Sequence, residues 1–343
     1  MTMNSDWQNF LNTQGAHFSG DDLTHFGEVK SELTATANST VLCALTQFGV
    51  LRVSGEEAQS FLQNLLSNDI RLVDATHAQL SSFNTAKGRM LAVFLIWRDG
   101  EDFILQLPTS ILESLRKKLS MYVLRAKVKI SDASHDLLCM GLSGSHATEI
   151  LRTVCDELPN EAMTCAENAT VQLLKISDTR YQVTCRAEHA QALWIALLTQ
   201  AEKVGSPCWD WLNIRDGIPT ILPPTQEQFV PQMVNLDALG GINFKKGCYP
   251  GQEIVARMHY LGKLKRRMYL AHLDCAAAPV AGEELFSADM EGQASGMIAN
   301  VAAAPHGGYD ILAVLQTASV DLNPIQTAHG DTLKFLALPY TLA

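Results

Sequence analysis

Between Thr40 and Ala201 the sequence passes twice through the same succession, short apolar strands interrupted by amphipathic helices, and from Lys263 onward only strand patterning remains. That order constrains the fold more than any other feature of the chain. In the first round, "TVLCALTQFGVLRVSG" (40–55) reads as two strands about a turn near Gly49. A helix carrying Ala58, Phe61, Leu62, Leu65 and Leu66 on one face follows, with Ser54 as its N-cap and Glu56 and Glu57 in its first turn. Strands over 78–84, 89–98 and 102–107, a Pro108-led helix to about 122 and a strand over 123–131 complete the round. The second round reads "DLLCMGLSG" as a strand into a turn, "SHATEILRTVC" as a helix, "TVQLLKIS" and "TRYQVTC" as a hairpin, and "AEHAQALWIALLTQA" as an amphipathic helix. Two such rounds predict a duplicated α+β unit, and the regularly spaced short strands after it predict a small C-terminal β-barrel.

Composition narrows the function. With 343 residues and 47% apolar content the chain can bury two or three cores. It has no run of 18 or more apolar residues, so no membrane span is expected, and "MTMNSDWQNF" lacks the pattern of a secretory or transit segment. A cytoplasmic address follows as the expectation. The eight cysteines contain no CxxC pair and the ten histidines no HxxxH spacing, so no protein-held metal or cluster site is expected. The Gly141–Gly144 turn has the spacing of neither a Walker loop nor a dinucleotide fingerprint. The net charge of −10 argues against broad nucleic-acid binding. Yet residues 245–267 hold seven basic side chains (Lys245, Lys246, Arg257, Lys263, Lys265, Arg266, Arg267) against one acid, Glu253. A positive spot on an acidic body suits an anionic small molecule, or else it is a solvated basic strand.

The densest chemistry lies inside that window, in "NFKKGCYPGQEIVARMHY" (243–260). Pro250 fits a first helical position, Gln252 and Glu253 a first turn, Ile254, Val255 and Met258 a buried stripe, and Gly262 a C-terminal stop. Cys248 then stands just ahead of a helix N-terminus with Lys245 and Lys246 beside it. Both favour thiolate, the better nucleophile and soft-metal ligand. The competing reading is a structural cysteine in a glycine-rich turn. Similar structural alternatives attend Asn84 and Lys87 as hairpin-turn residues, Trp209 and Trp211 as core or pocket wall, and Arg257 as an i−4 partner of Glu253.

"KGCYPGQE" (246–253), preceded by "PQMVNLDALGGINFK" and followed by "VARMHYLGKLKRR", resembles the signature of YgfZ-type folate-binding proteins, relatives of the T-protein (aminomethyltransferase) of the glycine cleavage system. "FLQNLLSNDI", "FNTAKGRMLA", "WLNIRDGIP" and the ending "LPYTLA" extend the similarity over roughly residues 40 to 343. The resemblance implies an α+β fold of two ferredoxin-like parts plus a C-terminal β-barrel, arranged as a three-part ring with a central hole. Its parts would be a discontinuous folate-binding part, 1–130 with 205–262, a second α+β part over 131–204, and the barrel over 263–343. It implies tetrahydrofolate as ligand, with Lys246, Asn84, Arg215, Asn235, Tyr249 and Arg257 as folate-binding residues and Cys248 as the functional thiol. The implied role is upkeep of iron–sulfur enzymes, which with their assembly proteins would be the partners, and through them tRNA methylthiolation.

Two departures bear on chemistry. Where the T-protein carries a catalytic carboxylate, this chain has Met90, Leu91 and Ala92, so classical aminomethyl transfer is expected to be absent. Where relatives carry a pterin-binding Glu, it has Arg215, a donor only, next to Asp216. The sequence therefore supports a folate-responsive maintenance protein first, a folate-dependent one-carbon transferase second and a direct RNA binder third.

Overall fold

The computed structural model describes residues 3–260 and 264–342. The chain folds into two compact units, each assembled from separate segments: Met1–Gln59, Arg71–Gln79 and Leu95–Trp209 in the first, and Ser60–Ile70, Leu80–Phe94 and Asp210–Ala343 in the second.

The first unit holds a six-stranded sheet in the order Cys165–Glu167, Gln172–Ser177, Arg180–Arg186, Leu137–Ser143, Val41–Ala44, Glu202–Val204. The neighbours are antiparallel except the last pair, where Glu202 runs parallel to Val41. Helices Ser5–Thr13 and Ala187–Leu197 cover its apolar face, with Trp7 meeting Trp194 edge-on at 5.7 Å. Strand Phe48–Ser54 is flanked by Asp102–Pro108 and Lys129–Asp132, and helix Thr109–Val123 buries Ile111, Leu112, Leu115 and Leu119. The turn after Val41–Ala44 thus falls at residues 45–47, and Gly49 lies inside a strand. The two strands join different sheets, which a pattern of apolar runs does not register. Glu32, on a helix over Val29–Asn38, is buried because its carboxylate accepts from the backbone N–H groups of Phe26, Gly27 and Gly205.

In the second unit the C-terminal strands form one curled half-barrel sheet, ordered Ile325–Thr327, Glu284–Ser287, Ala294–Ala303, Tyr309–Gln316, Arg266–Leu273, Lys334–Leu336. Alternation along Arg266–Leu273 and Tyr309–Gln316 sends Ala271, Leu273, Ile311, Ala313 and Leu315 into its core. The proline-rich stretch is pinned by two single turns, Pro223–Thr225 and Pro231–Val234. The helix begun at Ala58 ends at Gln63, earlier than its apolar spacing suggests, because Leu66 leaves it to bridge Phe83.

Candidate functional site

All seven residues singled out from the sequence, Cys248, Lys246, Asn84, Arg215, Asn235, Tyr249 and Arg257, fall in the second unit. The segment from Asn243 to Gly251 has no helix or strand, so its backbone must find partners elsewhere. Lys246 supplies the anchor. Its ammonium is buried and donates to three backbone carbonyls, of Gln63 at 2.6 Å, Leu66 at 2.5 Å and Asn68 at 3.0 Å. The same ammonium lies 5.2 Å from the centre of the Tyr249 ring, and burial pushes the Tyr249 hydroxyl upward.

The anchored segment meets the strand that ends in Asn84 by two routes. Ser67 N–H donates to Ser82 O at 2.9 Å, Ser82 N–H returns to Ser67 Oγ at 2.8 Å, and Asn68 Nδ2 reaches Leu80 O at 3.0 Å and Gly240 O at 2.7 Å. At the far end of the strand the Thr85–Gly88 turn lies against Gly251, where a Cβ would stand 2.5 Å from Gly88 Cα and 2.6 Å from Thr85 O. Gly251 is also left-handed (φ +79°). This is why the helix begins at Gln252 and Pro250 stands outside it. Along Gln252–Tyr260 only Val255 is fully buried; Ile254 is 38% exposed and touches Gly88, and Gly262 lies outside the described residues.

The product of these constraints is an exposed thiol on an anchored turn. Cys248 is exposed, Cys139 and Cys275 are half-buried and the other five cysteines are buried, with burial pushing Cys165 and Cys185 up to about 12. Asn84, at the end of the strand Gln79–Asn84, is completely buried, and neither its amide oxygen nor its amide nitrogen finds a hydrogen-bond partner among the described residues. Ser82 Oγ is equally unpartnered and, two residues away, belongs to the same face of the strand. Buried polar groups are nearly always paired in folded proteins, so these two on one strand face have hydrogen-bonding capacity to offer a ligand or water.

The remaining candidates are committed elsewhere. Asn235, left-handed at φ +59°, donates to Met268 O at 2.8 Å and ties its turn to the C-terminal sheet. Arg215 pairs with Asp310 at 3.6 Å, an aspartate that also accepts from Trp211 Nε1 and faces His272 Nδ1, both at 2.8 Å. Arg257 is exposed on the helix. The basic window is therefore heterogeneous. Arg267 is buried against Asp237 at 2.7 Å, Lys245, Arg257 and Lys265 are exposed, and Lys263 lies outside the described residues.

Sequence reading missed Ser67 and Asn68, and also Gln232, whose Nε2 holds Val255 O at 2.6 Å beneath the helix. The polar residues in "NLLSND" and the Pro231–Gln232 step carried the available signal. It was silent on partners because these are distant in sequence. Among the described residues no group of three or more histidine, cysteine or acidic side chains is placed to hold a metal ion, and no helix is long and apolar enough to cross a membrane.

The architecture is that of aminomethyltransferases. The structure matches the crystal structure of glycine cleavage system aminomethyltransferase T from Bartonella henselae with a TM-score of 0.76 over 97% of this chain and 96% of that one, at 17% identity. The GCVT N-terminal domain family matches residues 9–239. Among curated proteins, the tRNA-modifying protein YgfZ of Escherichia coli is 30% identical over 305 residues, covering 88% of this chain and 93% of its own. That of Colwellia psychrerythraea is 33% identical over 240 residues, covering 67% and 71% respectively. The chain belongs to the YgfZ-type family of GCVT-domain proteins.

Proposed function

We propose that this protein binds tetrahydrofolate and supports tRNA modification by keeping iron–sulfur enzymes in working order, with Cys248 as its functional thiol. One arrangement carries the reading. An exposed cysteine stands on a turn anchored by buried Lys246, and that turn is fastened to the strand whose terminal Asn84 has an unused amide. The aminomethyltransferase fold supports the ligand class, and the relatives' designation as tRNA-modifying proteins supports the destination.

The residues fit a reduced folate in part. The Asn84 amide offers an acceptor and two donors, matching a pterin edge that presents both kinds of group. Because Lys246 spends its charge on three carbonyls, the anionic glutamate tail falls to the exposed cations Lys245 and Arg257. Lys246, Tyr249 and Asn235 then serve the ligand by holding the walls, and Arg215 does so through Asp310. Classical aminomethyl transfer is not part of the proposal. Met90, Leu91 and Ala92 are buried apolar residues, and none can take a proton from an amine.

Calorimetric titration of tetrahydrofolate into the wild type and Asn84→Ala tests the ligand. Micromolar binding lost in the variant is expected, and absence of binding to the wild type would overturn the folate assignment. Cys248→Ala tests the thiol separately. It should bind folate as the wild type does but fail to restore methylthiolated tRNA in cells lacking the protein. Full restoration would remove the thiol from the function.

A further inference from the structure

Along the segment that bears the thiol and the helix after it, three rings that the folate reading leaves unused stand with Lys245 and Arg257, the two cations to which that reading gives the glutamate tail. Phe244, in the anchored segment, stacks on His259 of helix Gln252–Tyr260 with ring centroids 3.8 Å apart and planes inclined by 12°. Tyr260 stands edge-on to both, 4.8 Å from His259 and 6.4 Å from Phe244, and is 65% exposed. Lys245 is exposed next to Phe244, and Arg257 is exposed three residues before Tyr260, hence on the same helix face. His259 and Tyr260 are exposed and Phe244 is half-buried beneath His259, so a partner that covers these clustered rings must also meet positive charge.

We infer that this surface binds single-stranded RNA, stacking an unpaired base on the Phe244–His259–Tyr260 rings while Lys245 and Arg257 meet the flanking phosphates. The combination of ring faces and cations is the one by which sequence-tolerant single-strand binders work. An acidic protein segment would satisfy the cations but has no use for the rings. A duplex cannot offer a base face, because its bases are stacked and its deep groove is closed to side chains. The acidic body does not oppose such binding. The contact is local, and Glu253 is the single acid between Lys245 and Arg267. The rings carry the inference; Lys245 and Arg257 are shared with the folate reading, so tetrahydrofolate should compete with RNA only in part.

The test is fluorescence anisotropy of the full chain with a labelled single-stranded RNA of about 10 nucleotides and with a blunt duplex of the same sequence. Single-strand binding should exceed duplex binding and weaken about tenfold between about 50 mM and about 200 mM salt, the slope of two to three phosphate contacts. Tyr260→Ala should lose about tenfold in affinity while Tyr260→Trp retains it, since a stacked base needs a ring rather than a hydroxyl. The position is exposed, so the fold of both variants, followed by circular dichroism, should be unchanged. Four results would overturn the inference: no single-strand binding at low salt, equal affinity for the duplex, indifference to Tyr260→Ala, or full displacement of RNA by either tetrahydrofolate or polyglutamate. The last two displacements would reassign the surface to the folate tail or to an acidic protein partner.

Discussion

Two regions of the second unit achieve order by opposite means. The C-terminal sheet is held by its ladders: strand Arg266–Leu273 is paired residue for residue with Tyr309–Gln316, from Arg266 opposite Gln316 to Leu273 opposite Tyr309. The Cys248 turn has no ladder and is held at a few points, chiefly one side chain reaching to three carbonyls and one glycine–glycine apposition, with Asn243 N–H donating to Ser67 O at 3.0 Å. A ladder distributes its stability over many weak bonds, so losing one is tolerable. A turn held at a few points loosens when a main one is removed, and that concentration lets the protein place a thiol in solvent without letting it wander.

The comparison can be broken most forcefully at Lys246. Lys246→Ala leaves the carbonyls of Gln63, Leu66 and Asn68 buried without their donor, at a cost of about 3 kcal/mol or more. Chemical denaturation should show that loss, whereas a ladder residue such as Arg266, half-buried at the start of its strand, should cost far less on truncation. Gly251→Ala comes next. A methyl group placed 2.5 Å from Gly88 Cα at φ +79° should cost about 2 kcal/mol and speed alkylation of Cys248. Cys248→Ser marks the other extreme. An exposed thiol on a turn held by other residues should change stability by less than about 0.5 kcal/mol.

The sheet has one concentrated point of its own, and it sharpens the contrast through pH. His272 presents Nδ1 to Asp310 at 2.8 Å and Nε2 to Asp274 at 3.1 Å. Burial works against its charge, but the hydrogen bonds to the two carboxylates prevail and raise it above the ordinary value of 6.5. Arg215 and Lys334 complete the surroundings through Asp310 and Asp274. A group raised on folding contributes its full stability below the unfolded value and loses it as pH climbs through the folded one. The melting temperature of the wild type should therefore fall from pH 6 to pH 8 by more than that of His272→Asn. Equal slopes would show that the imidazolium does not clamp the strands.

How much of this was legible beforehand differs between the same two regions. The strands "KRRMYLAHL" and "YDILAVLQ" declare themselves by alternation, a local property, and the helix after Gly251 by its spacing. That the C-terminal strands curl into a half-barrel sheet is a matter of pairing order, which alternation does not encode. Cys248 was legible as a residue worth attention because glycines and lysines flank it. The role of Lys246 was not, since its acceptors stand 178 to 183 residues earlier and are backbone atoms without a side-chain signature. Nor could the unused amide of Asn84 be read from "FNTAKGR", where an asparagine ahead of a turn looks ordinary.

The reach of Lys246 has a consequence for the order of assembly. Contacts between residues far apart in sequence close the longest loops and are made only after large losses of chain entropy. The turn bearing Cys248 cannot take its final setting until the 63–68 segment is in place and the chain has been synthesised beyond residue 246. Its thiol thus takes its native setting only after the contacts of Lys246 have closed, and until then Cys248 is carried on an unrestrained stretch of chain.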